Sequence, residues 1–247
     1  MDGKPVRSRL FRGGATLLAG MALLGPLALQ AATARAHASL AVRPTQQLVA
    51  LYSPRKAWAE PSAKSALIAP VPARRPITAV RTVLPVLGQR TSSGFRWLHV
   101  RLPGRPNGRT GWIKRRATRS WRTNWHIVID TSTRRVVVYR HGRPARSFRA
   151  IVGKPSTPTP LGEFFVEESI RLSSQAVGAP FALALSARSN VYQEFAGGPG
   201  QIAMHGLNHV GGTLGTAASH GCVRLNTAAI RWLAAHIGSG IPVTITP

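Results

Sequence analysis

Short apolar runs separated by turn-forming residues recur along this 247-residue chain, and they constrain its fold more than any other feature. In the run RWLHVRL (96–102), every second residue from Leu98 to Leu102 is aliphatic. A period of two is expected of a β-strand with one buried face. Further strands are predicted at 125–130 and 135–140, which form a hairpin, and then at 147–153, 162–169, 180–186, 201–206 and 241–246.

One stretch near the C-terminus has a helical period instead. Aliphatic residues fall at i, i+3, i+4 and i+7 between Ile230 and Ile237, which places them on one face of an α-helix. Asn226 or Thr227 is predicted to cap the start of this helix, and a glycine at 238 or 240 to end it. The sequence therefore predicts a mainly β fold with one C-terminal helix.

The first 38 residues are similar to a secretory signal peptide. Basic residues from Lys4 to Arg12 precede the apolar run ATLLAGMALLGPLAL (15–29), and the small residues that follow fit a small-x-small cleavage pattern. The apolar run is shorter than the ~20 residues that a membrane span needs. We therefore expect cleavage, secretion to the cell wall or periplasmic space of a bacterial envelope, and no stable membrane span afterwards. An uncleaved anchor is the alternative.

The rest of the chain divides by composition. Residues 39–77 are rich in Ala, Pro and Arg and are predicted to form a basic linker, with an isolated strand at 46–53. Residues 78–118 alternate strands with turns, and their pattern W-L-x-V…G-W-I resembles the bacterial SH3-like modules of secreted wall enzymes. An unnamed small β module, or an extension of the next domain, is the alternative. Residues 124–246 form the larger predicted domain.

The charge of the chain is strongly unbalanced. The 33 Lys and Arg residues and seven Asp and Glu residues give a formal charge of +26, and residues 39–120 hold sixteen basic residues and one acidic residue. Nucleic acid is a common partner for such a charge, but an exported protein rarely meets it, so none is expected. The expected partners are anionic cell-envelope polymers, attracted at long range. A basic face that is merely solvated is the alternative.

The only cysteine, Cys222, lies in the stretch SHGCVRLN (219–226), and an intrachain disulfide is therefore excluded. His220 and Cys222 are too close in sequence for the usual spacing of structural zinc ligands, so no metal is predicted. A lone cysteine is usually buried and inert. Here, however, Ser219, Gly221 and Arg224 make the setting polar and tightly turned.

This setting favours a nucleophilic thiol. A free thiol has a pKa near ~8.5, which a neighbouring imidazole or cation lowers, and a histidine must accept and return a proton when sulfur attacks a carbonyl. His220 is near in sequence, and side chains at i and i+2 of a strand share a face; His205 is the other candidate. Gly221 permits backbone angles that other residues resist, and the amides around the cysteine are candidates for an oxyanion site.

Two motifs resemble those of the YkuD-type L,D-transpeptidases: the pair His205-Gly206 followed by SHGCVRL (219–225), and TPTPLGEF (157–164), which is similar to the family's TPxGxF stretch. The likeness covers 124–246. It implies a β-sandwich L,D-transpeptidase-like catalytic domain with one C-terminal helix, here preceded by a small SH3-like β-barrel module. It also implies cross-linking of peptidoglycan stem peptides through a cysteine acyl-enzyme, with no cofactor.

The resemblance implies roles for individual residues. Cys222 would be the nucleophile and His205 the general base, with the backbone carbonyl of Gly206 orienting the imidazole ring. His220 would lie beside the thiol and support the site. Proximity in sequence favours His220 as the base, whereas the resemblance favours His205, and we expect His205.

Other residues are expected around this pair. Arg224 would hold a substrate carboxylate or brace the loop, and Ser219 and Gly221 would shape the turn that carries the oxyanion-binding amides. Tyr192 and Phe195 precede the strand that ends at His205. Packing in the core is the commoner role of such aromatic residues, and lining a substrate cleft is the alternative.

The function expected from the sequence is that of a secreted L,D-transpeptidase acting on peptidoglycan stem peptides. One alternative is an L,D-carboxypeptidase or hydrolase that uses the same residues with water as the acceptor. The other is a non-enzymatic, basic wall-binding protein with a vestigial cysteine.

Overall fold

A computed structural model describes residues 42–195 and 197–247. The predicted signal peptide lies outside the described residues. Within them, no helix is long and apolar enough to cross a bilayer. The first seven strands form one sheet in the order β3-β2-β6-β5-β4-β1-β7. They are β1 (Gln46–Leu51), β2 (Arg55–Trp58), β3 (Leu67–Val71), β4 (Val83–Ser92), β5 (Phe95–Arg101), β6 (Thr110–Lys114) and β7 (Thr118–Thr123).

The remaining elements belong to the C-terminal half. They are β8 (Trp125–Asp130), β9 (Arg135–Arg140), β10 (Arg143–Arg149), β11 (Val152–Gly153), β12 (Gly162–Arg171), β13 (Phe181–Arg188), β14 (Gln201–His205), β15 (Ala217–Ser219), β16 (Val223–Arg224), α1 (Thr227–His236) and β17 (Pro242–Thr246). Eight of these strands form a sheet in the order β10-β9-β8-β17-β12-β13-β14-β16, and β11 pairs with β15 in a short parallel ladder.

The fold class expected for the catalytic half, mainly β with one C-terminal helix, is confirmed for the described residues. The predicted hairpin is present as β8 and β9, and the Asn226 side chain caps α1 by accepting a hydrogen bond from the amide of Ala229 at 2.8 Å. Strand β12 joins two parts of the large sheet, because its first half pairs with β17 and its second half with β13. Strand β12 is therefore a central strand of the eight-stranded sheet.

The stretch expected to be a linker, 39–77, instead contains three paired strands, β1 to β3. Strand β1 lies between β4 and β7 and is buried along most of its length. Strand β3 is at the edge of its sheet, where Pro70 is tolerated because its missing N–H is not required for pairing. The first seven strands therefore form one module from Gln46 to Thr123, larger than the predicted 78–118. Its assignment as SH3-like stays a prediction.

The N-terminal module and the C-terminal half have separate hydrophobic cores, and strand β1 contributes side chains to both. On β1, Leu48 and Ala50 pack in the core of the C-terminal half, whereas Val49 and Leu51 pack in the core of the module. A strand has side chains on alternating faces, so β1 separates the two cores. The C-terminal half therefore covers one face of β1.

Buried carboxylates also join the two halves. Glu167, on β12, is fully buried and forms ion pairs with Arg75 of the module and Arg188 of β13. The adjacent Glu168 accepts hydrogen bonds from the amide and the hydroxyl of Thr78, at 2.9 and 2.7 Å. The pairing of β12 shifts register between Val166 and Glu168, a β-bulge that interrupts the alternation of faces. Both carboxylates therefore contact the module.

Candidate active site

Cys222 lies in a tight turn that enters β16. Gly221 has φ +118°, a region that favours glycine. The Ser219 hydroxyl donates to the carbonyl of Cys222 at 2.5 Å and accepts from the amide of Gly221 at 3.1 Å. The Ser219 side chain therefore fixes the backbone of both residues that follow His220. The Gly221 amide is engaged within the turn, and its expected role in binding an oxyanion stays a prediction.

Two threonines of the TPTPLGEF stretch fix this turn from outside. The Thr157 hydroxyl donates to the carbonyl of Ser219 at 3.2 Å, and the Thr159 hydroxyl donates to the carbonyl of Gly221 at 2.8 Å. Thr159 also accepts from the amide of Gly153 at 2.9 Å. Both threonines are buried. The sequence motif alone gives these two threonines no role, since only the fold brings position 159 to position 221.

The pairing of β14 with β16 brings the candidate base and nucleophile to one cavity. The two strands are parallel, with Met204 opposite Val223 and His205 opposite Arg224. Cys222 immediately precedes β16, so this register places it beside Ala203, two residues before His205. Cys222 and His205 both line a cavity of about 420 Å³.

The ring of His205 is held in one orientation. Its Nδ1 donates to the carbonyl of Gly206 at 2.8 Å, and a carbonyl oxygen can only accept. In the neutral ring, Nε2 is therefore the unprotonated nitrogen. Gly178 packs against the ring, since a Cβ at that position would lie 2.5 Å from Nδ1. Gly206 has no room for a side chain either, because a Cβ there would overlap the carbonyl oxygen of Ala179.

The electrostatics of the site favour uncharged forms of both groups. Burial lowers the pKa of His205, and the positive charge of Arg224 lowers it further, against the opposing effect of the Gly206 carbonyl. Burial raises the pKa of the Cys222 thiol, while the backbone at Ala203 and the charge of Arg224 partly oppose that rise. At neutral pH the site therefore holds a neutral imidazole and a protonated thiol, so proton transfer must accompany sulfur attack.

His220 does not point into the core and lies at the rim of the cavity, exposed to solvent. Its ring contacts those of Tyr192 and Phe195, with centroids 6.1 and 5.8 Å away. Tyr192 is partly exposed and Phe195 is 50% exposed. The expectation that these two aromatic residues pack in the core was wrong. They form a wall of the cavity, because the loop that carries them lies on the surface.

Arg224 lies on the same cavity, half-buried. Its Nη1 is 3.4 Å from the carbonyl of Gly211, and its buried Nε has no hydrogen-bond partner in the described part of the chain. Among the described residues no carboxylate pairs with Arg224, and an unpaired guanidinium at a cavity wall is suited to bind a carboxylate. His209 is exposed at the mouth of the cavity, where its Nε2 donates to the carbonyl of Ser174 at 3.0 Å.

All seven residues predicted for the site therefore lie around one turn and one strand end. No three His, Cys, Asp or Glu side chains converge as metal ligands would within 42–195 and 197–247. The described residues offer a thiol, an oriented imidazole and a guanidinium around one cavity. This combination can carry out acyl transfer through sulfur.

Residues 124–245 match the model of the YkuD family, the L,D-transpeptidase catalytic domain. This half of the chain belongs to that family. The putative L,D-transpeptidase YkuD of Bacillus subtilis is 27% identical to this chain over 121 residues, which are 49% of this chain and 65% of that protein. L,D-transpeptidase 1 of Mycobacterium tuberculosis is 28% identical over 126 residues, 48% of this chain and 49% of that protein.

Solved structures of L,D-transpeptidases match part of the chain at low identity. The crystal structure of L,D-transpeptidase 3 from Mycobacterium tuberculosis has a TM-score of 0.44 and 15% identity, and covers 67% of this chain and 92% of that chain. An L,D-transpeptidase from Mycobacterium smegmatis has a TM-score of 0.39 and 17% identity, and covers 66% of this chain and 99% of that one. The chain spans half to two thirds of the length of the curated relatives it matches.

Proposed function

We propose that this protein is a secreted L,D-transpeptidase that cross-links peptidoglycan stem peptides through a thioester on Cys222. The observation that carries the proposal is the His205 ring, whose Nδ1 donates to the Gly206 carbonyl and whose other nitrogen is left to act as a base in the cavity that Cys222 lines. Membership of the YkuD domain in its family supports the reaction class.

The first half-reaction would form the thioester. The Cys222 sulfur attacks the carbonyl that precedes a terminal D-residue, and His205 Nε2 takes the thiol proton. The C–N bond of the stem then breaks, and the leaving amine takes the proton from His205. Because both groups are uncharged at rest, the base acts during the attack rather than before it.

The second half-reaction would form the cross-link. The amine of a neighbouring stem attacks the thioester carbonyl, and the C–S bond breaks as the new amide forms. The proton lost by the amine passes through His205 to the sulfur and restores the thiol. Arg224, which lines the cavity and forms no ion pair with a carboxylate of the described residues, would bind a stem carboxylate during both steps.

The N-terminal module would hold the enzyme at its substrate. Sixteen basic residues against one acidic residue in 39–120 support attraction to anionic polymers of the cell envelope. The leader-like first 38 residues support export to the cell wall or periplasmic space. Wall binding and catalysis would therefore belong to different parts of one chain.

The test uses the purified chain from residue 39 with a disaccharide-tetrapeptide, and mass spectrometry of the products. The expected product has the mass of two tetrapeptides joined with loss of one D-alanine, and a Cys222→Ala variant should form none. A tripeptide as the only product would instead establish hydrolysis. Identical traces for the two proteins would overturn an enzymatic function and leave the wall-binding alternative, which sedimentation with purified wall measures directly.

A further inference from the structure

One loop of the N-terminal module reaches the cavity wall of the YkuD domain. This module loop, residues 103–109, follows β5 and contains the turn-forming sequence PGRPNGR. Its Arg105 donates three hydrogen bonds to backbone carbonyls of the other domain. Nη2 donates to Ser189 at 2.8 Å and to Tyr192 at 2.7 Å, and Nη1 donates to Pro199 at 2.8 Å.

The three carbonyls belong to one surface segment, residues 189–195 and 197–200, called here the cleft loop. It connects β13 to β14. Its base is closed by the amide of Ser189, which donates to the carbonyl of Gly200 at 2.8 Å. Arg105 binds carbonyls near both ends of the loop, so a single guanidinium spans it. Charge-assisted hydrogen bonds of this kind are stronger than neutral ones.

The cleft loop is shaped to admit the guanidinium. Gly200 has φ +62°, and a Cβ at this position would overlap the carbonyl oxygen of Tyr192 and lie 3.1 Å from Arg105 Nη2. The Ser189 hydroxyl accepts from the amides of Val191 and Tyr192, at 3.1 and 3.0 Å. Those bonds turn the chain so that the Tyr192 carbonyl faces Arg105.

A second residue of the module loop fixes the strand end just before the cleft loop. The side-chain amide of Asn107 donates to the carbonyl of Arg188 at 2.7 Å and accepts from the amide of the same residue at 2.8 Å. It satisfies both backbone groups of Arg188, as a neighbouring strand would. The module therefore holds the cleft loop and the residue that precedes it.

The cleft loop forms the side of the cavity that faces His220. Its Tyr192 and Phe195 rings contact the His220 ring, and its Ser189 and Gly200 also line the cavity of Cys222. A shift of the loop would change the width of the cavity without touching the sulfur or His205. Misplacing a substrate by about 1 Å is sufficient to slow a reaction about a hundredfold.

We propose that Arg105 is a positioning residue that sets the shape of the substrate cleft from the N-terminal module. The planar fork of arginine directs several N–H groups at fixed angles, which suits three carbonyls around one loop. The module would thereby determine which stem peptides fit, in addition to any role in wall attachment. The statement about substrates rests on the proposed function; the positioning of the loop does not.

The test compares Arg105→Gln and Arg105→Lys with Arg101→Gln. Arg101 is the matched control, because it also donates to one carbonyl of the YkuD domain, that of Glu163 at 3.0 Å, but makes no hydrogen bond to the cleft loop. Hydrogen exchange measures the protection of the amides of residues 191–195. We expect exchange about tenfold faster in Arg105→Gln, intermediate in Arg105→Lys and unchanged in Arg101→Gln.

Kinetic measurements then distinguish a shift of the cleft loop from a loss of structure around Cys222. With the tetrapeptide, Arg105→Gln should raise KM about tenfold, and alkylation of Cys222 by iodoacetamide should stay within about twofold of the parent chain. Equal exchange in the Arg105 and Arg101 variants would overturn the positioning role, whether or not the enzyme is a transpeptidase. Faster exchange with unchanged KM would overturn the role in substrate fit. Absence of cross-linking in the parent chain would count against the proposed function alone.

Discussion

Phe164 and Phe165 are consecutive residues of β12, and their rings lie in different hydrophobic cores. Phe164 packs in the core of the YkuD domain and Phe165 in the core of the N-terminal module. Each is 1% exposed. Strand β1, which belongs to the module, likewise contributes alternate side chains to both cores. Strands β1 and β12 therefore each belong to both hydrophobic cores, so the two halves do not meet only through their surfaces.

This sharing predicts cooperative unfolding. Phe165→Ala should destabilise the whole protein by about 3–5 kcal/mol, because it leaves a cavity in the module core while its backbone belongs to the YkuD domain. Differential scanning calorimetry should show one transition that moves as a unit. Phe195→Ala is the control, since Phe195 is 50% exposed and its loss should leave the transition nearly unchanged. Two separate transitions, only one of them shifted, would contradict the sharing of β12 by the two cores.

Removal of the buried carboxylate at position 167 should be costly. Glu167 is fully buried between Arg75 and Arg188, so Glu167→Gln leaves two guanidinium groups without their counter-charge. The expected loss is about 3–5 kcal/mol in the free energy of unfolding, measured by urea denaturation. Glu163→Gln, at an exposed position of the same strand, should cost less than about 1 kcal/mol. Similar losses for both variants would show that the ion pairs do not stabilise the fold.

The hydroxyl of Thr159 should matter for the reactivity of Cys222. Thr159→Val keeps the shape of the side chain but leaves the Gly221 carbonyl and the Gly153 amide without their partner. We expect a loss of about 1–3 kcal/mol in stability and a changed rate of Cys222 alkylation, followed by mass spectrometry. Thr159→Ser retains the hydroxyl and should react at the parent rate. If valine and serine behave alike, the hydroxyl does not hold the turn.

The charge of Arg224 should contribute to the lowered pKa of His205, after the larger effect of burial. Burial and this charge lower the pKa of His205, so the imidazole stays neutral until the pH falls below its ordinary range near 6.5. Activity should therefore persist through pH 7 and decline only at lower pH. NMR titration of the His205 ring should give a higher pKa in Arg224→Gln than in the parent chain, while Arg224→Lys keeps it low. An unchanged pKa in Arg224→Gln would exclude this electrostatic effect.

The sequence predicted much of the YkuD domain because its signals are local. The apolar runs within 125–130 and 135–140 coincide with β8 and β9, and Asn226 caps the helix as expected. Strand β1 was predicted only as an isolated strand, and β2 and β3 were missed, for physical reasons. A strand buried on both faces, such as β1, has no polar alternation, and an edge strand, such as β3, tolerates proline.

The sequence predicted the reactive residues of the site but not the residues that form the walls of its cavity. Cys222 and His205 belong to short motifs, whereas the contact between Arg105 and Tyr192 joins positions 87 residues apart. No periodicity in the sequence specifies which turn an arginine will reach. The positions of Tyr192 and Phe195, in a glycine-rich loop, could not be predicted either. Their hydrophobicity is compatible both with burial in the core and with the wall of a surface cavity, and the sequence does not distinguish the two.

The placement of the carboxylates on β12 has a consequence for how the protein meets an anionic polymer. Two of the seven acidic residues, Glu167 and Glu168, are buried where salt ions do not reach them. The outer surface is left with few carboxylates, so a divalent cation has little to bridge between protein and polymer. Under the proposed wall binding, adhesion should then be direct, released by monovalent salt and insensitive to chelators, while the buried ion pairs of Glu167 persist at the salt concentration that elutes the protein.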